Sequence, residues 1–286
     1  MTPTTPGPQT PPAPSELQRV FGTLGALWSM VGPVRDVDAP THAGVPYAPA
    51  EGRRGRAPLA DVYLPDGPGP HASILWVHGG GFTVGARDMK PMRLLATACR
   101  RAGIAAMTFD YRLLFRGGTA HTGVEDTRLA HAFWVDSAAR FSLDPARIAV
   151  GGLSAGGCLA LMAAPTLSPA PHKVVGVFPL YDFESLRGGP SGLLARLAGG
   201  ADPEARRNVS PMHAPLPTMP TLLQHGTADT LIPVADAERY AARRQAEGLP
   251  TTLHVYPGAP HAYHNMPDSE TARAAVSDLL AFLRSA

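Results

Sequence analysis

The sequence predicts an α/β fold: a mostly parallel sheet covered on both faces by helices, built as one large domain. Three observations predict it. Short apolar, β-prone runs recur along the chain and alternate with longer stretches whose apolar residues have helical spacing, the pattern of a sheet buried by crossover helices. The chain has 286 residues, enough for a single large core of this kind. A Gly-x-Ser-x-Gly stretch, Gly152-Leu153-Ser154-Ala155-Gly156, falls where one such run ends and a helical pattern begins.

Taken in order, residues 1–14 are proline-rich and lack a basic start. They read as a disordered or extended tail and not as a signal peptide. Residues 15–32 read as an N-terminal helix. Ser15 is a suitable N-cap, and Leu17, Val20, Phe21, Leu24, Leu27, Trp28 and Val31 fall at helical spacing, although Gly22 and Gly25 weaken it. This helix packs on the body or contributes to a cap. Its polar face has no row of Lys or Arg, which disfavours a membrane-surface role.

Residues 33–286 form the main domain. Strands are expected at 59–64, 73–77, 105–109, 148–150, 174–178, 221–224 and 252–256. Helices are expected at 90–102, 124–139, 155–163, 233–247 and 268–284. The stretch 181–220 interrupts the alternation and reads as Gly- and Pro-rich loops with at most a short helix near 193–197. An insertion of this size suits a small cap.

Composition excludes several function classes. The formal net charge is +2, and the basic residues come as scattered pairs such as Arg53-Arg54, Arg100-Arg101, Arg206-Arg207 and Arg243-Arg244. No basic block interleaved with aromatics is present, so no nucleic-acid partner is expected. No apolar run approaches the length of a membrane span. Cys99 and Cys158 lie in helical segments and read as small buried hydrophobes, with no disulfide framework, so a reducing, cytoplasmic compartment is expected. The sequence is compatible with a monomer or a homo-oligomer.

Ser154 is the first candidate for chemistry. A serine hydroxyl is a weak nucleophile unless a base takes its proton, and Gly-x-Ser-x-Gly alone occurs by chance in glycine-rich chains. Its placement between a strand and a helix is the arrangement of a nucleophile elbow, in which Gly152 and Gly156 avoid collisions in a sharp turn. The second piece is His78-Gly79-Gly80-Gly81-Phe82, directly after Ile74-Leu75-Trp76-Val77. It fits neither phosphate-binding glycine motif, because Gly85 is followed by Ala86 and Arg87. Bare glycines instead leave backbone N–H groups free to approach an oxyanion, with Gly80, Gly81 and Ala155 as the expected donors.

The base and its orienting acid are sought at the ends of later strands, where sites of such sheets gather. His261 follows the strand at 252–256 in Pro257-Gly258-Ala259-Pro260-His261, and His264 is the runner-up. His261-x-x-His264 is a poor metal pair because no third ligand is evident, so no metal or cofactor is expected. Asp229 follows the strand at 221–224 in His225-Gly226-Thr227-Ala228-Asp229. Asp110 and Asp126 precede the serine and Asp182 lies at the very start of the insertion, so they fit less well. The chain order Ser154, Asp229, His261 is the order of one of the known triad arrangements.

As a set, these motifs resemble the α/β-hydrolases, in particular the branch of hormone-sensitive lipase-like esterases and related bacterial carboxylesterases. The resemblance covers about residue 46 to the C-terminus. It also rests on Asp110-Tyr111-Arg112-Leu113 and Asp144-Pro145-Ala146-Arg147-Ile148. The chain departs from that branch where Asp-Tyr-Arg-Leu usually continues Ala-Pro-Glu and here continues Leu114-Phe115-Arg116-Gly117.

The resemblance implies an α/β-hydrolase fold with a small cap, a serine carboxylesterase acting on a small-molecule ester, and the triad Ser154, Asp229 and His261. It assigns Asp110, Arg112 and His78 to structural work near the oxyanion loop. An amidase, formamidase, lactonase or deacetylase would use the same machinery. A non-catalytic binding protein on this scaffold would commonly have lost a triad member, and all three are present.

Overall fold

The computed structural model describes residues 34–50, 57–186 and 189–285, together with Gly25 and Trp28. The expected tail lies outside these residues, and so does the N-terminal helix apart from Gly25 and Trp28, which are helical. The described chain builds one eight-stranded sheet in the order β1-β2-β4-β3-β5-β6-β7-β8. Its strands are β1 (His42–Pro46), β2 (Leu59–Tyr63), β3 (His71–Val77), β4 (Ala105–Phe109), β5 (Leu143–Leu153), β6 (Val174–Val177), β7 (Thr221–Gly226) and β8 (Thr251–Tyr256). From β4 to β8 along the sheet every pairing is parallel, while β2 runs antiparallel to both β1 and β4.

The period of two along each strand divides the core into two layers. On β3, Leu75 and Val77 join one apolar cluster with Trp134 and Phe109. Their neighbours Ile74 and Trp76 join the other, with Met92 and Leu279. Helices cover both faces: α1 (Lys90–Arg101), α2 (Ala120–Asp136), α3 (Ala155–Ala163), α4 (Gly189–Gly199), α5 (Pro203–Asn208), α6 (Val234–Ala246) and α7 (Glu270–Arg284). A strand buried on both faces has no polar side to show, which is why β3 and β4 read as continuous apolar runs.

Besides the strand ends, where β5 is extended from the expected 148–150 to Leu143–Leu153, three expectations are revised. β1 is an additional edge strand whose short, glycine-containing sequence carries little β signal. Helix α2 begins at Ala120 because Thr119 and Thr122 form a reciprocal capping box, with the Thr119 N–H donating to Thr122 Oγ1 over 2.7 Å. The insertion is more helical than its composition suggests. Gly189-Pro190 opens α4 and Gly199-Gly200 closes it, so these residues punctuate a helix without breaking it. In α5, the Asp202 carboxylate accepts from Ala205 N over 2.8 Å, and Pro203 occupies the first turn.

Candidate active site

Loops leaving the C-terminal ends of β3, β5, β7 and β8 bring the candidate residues together. The chain leaves β5 into α3 through Ser154, whose φ of 52° and ψ of −118° lie in a sparsely populated region. Three backbone hydrogen bonds hold this corner: Ser154 N to Val177 O (2.9 Å), Cys158 N to Ser154 O (3.1 Å) and Leu180 N to Ser154 O (3.3 Å). The flanking glycines are steric necessities. A Cβ at Gly152 would sit 2.2 Å from Gly156 O, and one at Gly156 would sit 2.2 Å from Val77 O. The N-terminus of α3 therefore points its unpaired N–H groups at the serine.

The loop after β3 passes beside this corner. Gly80 and Gly81 have φ of 112° and 60°, and the Gly80 carbonyl accepts from Thr83 N and Val84 N, both at 3.1 Å. Among the described residues none accepts a hydrogen bond from the N–H of Gly80, Gly81 or Ala155.

His78 is buried and stacks on Tyr111 with ring centroids 4.2 Å apart. Burial lowers its pKa, and Nδ1, 2.7 Å from the acceptor Gly79 O, carries the proton. Downstream, Arg87 donates from its backbone N and Nη1 to Asp110 (2.8 and 2.6 Å) and from Nε to Asp61 (2.9 Å), tying the end of the loop to the sheet. Arg112 grips the buried Asp126 on α2.

The loop after β7 presents Asp229 and the loop after β8 presents His261. The two side chains meet with His261 Nδ1 2.7 Å from Asp229 Oδ2, and both are almost fully buried. On its other side, His261 Nε2 is 2.9 Å from Ser154 Oγ. The edge of Phe178 packs against the imidazole at 4.7 Å.

Asp229 Oδ1 accepts from Leu231 N and Ile232 N, both at 2.9 Å. Burial alone would raise the Asp229 carboxyl. The charge of His261 and hydrogen bonds from His225 and His261 outweigh that effect and hold it well below the usual carboxylate range. An Nδ1–H directed at this anion leaves the Nε2 lone pair free to take the serine proton.

The structure thus brings Ser154, Asp229, His261 and the N–H groups of Gly80, Gly81 and Ala155 into one place. The runner-up His264 is elsewhere: it stacks on Tyr263 (4.7 Å), and burial pushes its pKa down to about 3. Among the described residues no group of three or more His, Cys, Asp or Glu could hold a metal ion. Asp182 caps the turn at Phe183–Ser185.

Sequence reasoning missed several residues. A cavity of about 230 Å³ opens on Ser154 and is walled by Val84, Met89, Pro91, Phe178, Leu231 and Asn265 among others. These come from four separate segments with no shared motif. His225, also missed as a contact of Asp229, lies 3.2 Å from Oδ2.

Comparisons with known proteins agree on the fold. The family described as alpha/beta hydrolase fold matches residues 74–265, well over half of the chain. Lipase 2 of Moraxella sp. (strain TA144) is 27% identical over 242 residues, covering 68% of this chain and 55% of that protein. The carboxylic ester hydrolase LipN of Mycobacterium tuberculosis is 37% identical over 132 residues, covering 46% of this chain and 33% of that protein. The chain thus spans between a third and just over half of the length of these two relatives. Ethyl acetate hydrolase of Pseudomonas putida is 28% identical over 222 residues, 68% of this chain and 67% of that protein. Among solved structures, esterase 2 of Thermogutta terrifontis superposes with a TM-score of 0.71 at 25% identity, covering 87% of this chain and 97% of that one.

Proposed function

Because this chain belongs to the alpha/beta hydrolase family, we propose that it is a serine carboxylesterase cleaving short- to medium-chain carboxylic esters through an acyl-enzyme. The observation that carries the proposal is the continuous hydrogen-bonded series from Ser154 Oγ through His261 to Asp229, at 2.9 and 2.7 Å. Beside the serine stand three N–H groups that no described residue engages. The names of the relatives support the same chemistry.

In this mechanism Ser154 Oγ attacks the ester carbonyl while His261 Nε2 takes its proton. Asp229 keeps Nδ1 protonated and stabilises the imidazolium. The oxyanion of the tetrahedral intermediate receives the N–H groups of Gly80, Gly81 and Ala155, each worth roughly 10²–10³ in rate. Collapse expels the alcohol, which takes the proton from His261, and leaves an ester on Ser154. A water activated by the same histidine then hydrolyses that ester and releases the acid. The small, mostly apolar cavity at the serine is the acyl or alcohol pocket, and its size favours the shorter chains.

In the same proposal residues 181–220 form a small cap over the 33–286 domain. Its support is the approach of α4 to the oxyanion loop, where a Cβ on Gly81 would lie 3.3 Å from Leu194 Cδ2. Residues 15–32 are assigned to the cap as well. Val84, Phe115 and Leu193 are exposed large apolar side chains near that loop, of the kind such a segment would cover. Cytoplasmic residence completes the proposal, supported by two buried cysteines that form no disulfide. No helix among the described residues is long and apolar enough to cross a membrane.

The test is hydrolysis of p-nitrophenyl esters from acetate to palmitate by the wild type and Ser154→Ala in parallel. Turnover that peaks at short chains and is abolished in the variant is expected. A folded wild type that cleaves none of the series would sink the esterase reading.

A further inference from the structure

We propose that His225 is a positioning residue for the Asp229–His261 pair: its Nε2–H fixes the carboxylate oxygen that His261 uses and withdraws charge from it. The inference rests on the hydrolase reading above. His225 lies in β7, four residues before Asp229, with a fully buried side chain. Its Nε2 is 2.9 Å from Ile232 O and 3.2 Å from Asp229 Oδ2. Both neighbours are acceptors only, so Nε2 carries the proton and donates it to Ile232 O, with Asp229 Oδ2 within ion-pair distance of the same N–H. Nδ1 is buried and meets no hydrogen-bond partner among the described residues, so a proton there would be stranded.

Asp229 therefore receives two backbone N–H groups at Oδ1 and the His261 N–H at Oδ2, with His225 Nε2 a second, longer contact 3.2 Å from Oδ2. Without His225, Oδ2 would be held by His261 alone, and the carboxylate would be freer to rotate about its Cβ–Cγ bond. The second donor has an electrostatic effect too. A carboxylate oxygen that already has one N–H beside it is a weaker partner for an imidazolium, so His225 weakens the hold of Asp229 on the imidazolium that forms during catalysis.

The surroundings leave few other groups to confuse a titration. Tyr181 packs against His225 with ring centroids 6.0 Å apart and against Tyr240 of α6 at 5.2 Å. Burial pushes Tyr181 and Tyr263 well above the usual phenol range and Tyr240 up to about 12. Asp236 of α6 is paired with Arg239 at 2.7 Å. His264, in the turn Tyr263–Asn265, is pushed down to about 3 by burial. These phenols and His264 keep one charge state across the range in which a catalytic histidine titrates.

The test compares wild type, His225→Leu and His225→Gln, whose amide nitrogen can reach the Nε2 position. In His225→Leu the acid limb of the kcat/KM profile should move up by about 0.5–1 pH unit, with kcat about 10- to 100-fold lower and KM within about 2-fold. His225→Gln should return the limb to within about 0.2 unit of wild type. A wild-type limb in His225→Leu would overturn the proposal, whatever the change in kcat. Should the Leu variant not fold, His225→Asn, too short to reach Oδ2, must show the same shift, and an unshifted limb overturns it equally.

A readout without turnover separates this inference from the esterase reading. The far-downfield proton resonance of the His261 Nδ1–H should move in His225→Leu or His225→Asn and return in His225→Gln. An unchanged resonance contradicts the positioning role whether or not any ester is cleaved.

Discussion

His261 Nδ1 stands 2.7 Å from Asp229 Oδ2, and neither side chain is more than 2% exposed. A hydrogen-bonded pair this well shielded acts at low dielectric, where the carboxylate dictates both the tautomer and the orientation of the imidazole. Asp229→Asn replaces the accepting oxygen while conserving size. In a related triad the equivalent change lowers turnover by roughly 10⁴. We expect a kcat loss of that order here with the fold retained, measured by ester hydrolysis and circular dichroism, and a loss below about 10-fold would show that Asp229 does not orient the base.

Gly80→Ala tests the oxyanion loop. The added Cβ would lie 2.0 Å from Val84 O on a residue with φ of 112°, so the loop must move and carry its N–H groups away from the serine. The expected result is a kcat lower by about 10²–10³ with a smaller change in KM. An unaltered kcat would remove Gly80 and its neighbours from transition-state stabilisation.

The two cysteines should be inert in the native protein. Burial pushes the Cys99 thiol up to about 12 and raises Cys158 further still, so neither forms much thiolate at neutral pH. Iodoacetamide at pH 8 should label neither in the folded state and both after denaturation. Native labelling at either position, read by mass spectrometry, would contradict this burial.

How much of this was legible in the sequence follows from where each constraint is local. The elbow was legible because Gly152, Ser154 and Gly156 solve one steric problem within five residues. The positions of Asp229 and His261 were legible because the sheet delivers strand ends to one edge, so chain order and strand boundaries suffice to nominate them. The second donor to Asp229 was not, since the approach of His225 depends on how the loop after β7 folds back to place Ile232 O and Asp229 Oδ2 together. Helix α5 was signalled by Asp202-Pro203-Glu204 but hidden by the Gly and Pro content around it. β1 was hidden because an edge strand of five residues has too little alternation to register.

Stability should fall as the solution is acidified. Burial lowers His131 to about 4 and His264 to about 3, against about 6.5 in an unfolded chain. Between these values the unfolded state binds more protons, so the stabilisation is complete above pH 6.5 and is lost as pH falls through the native values. Each histidine contributes a slope of up to about 1.4 kcal/mol per pH unit. Urea titrations at pH 7 and pH 5 should differ by about 2 kcal/mol or more, and His264→Phe should narrow the gap. Equal stability at the two pH values would contradict the burial of these rings as neutral groups.

Removing residues 1–31 tests their assignment to the cap. Truncation should shift or broaden the chain-length preference on p-nitrophenyl esters while leaving cleavage of the acetate within about 3-fold. An unchanged preference would take the segment out of the pocket.

The central claim is that Ser154 is the activated nucleophile, and covalent capture tests it most directly. Incubation with a fluorophosphonate ester, followed by intact mass and peptide mapping, should show one adduct per chain on Ser154. The adduct should be absent in Ser154→Ala and form far more slowly in His261→Ala. A folded protein that takes no label, or takes it on another residue with Ser154 unmodified, would contradict the account.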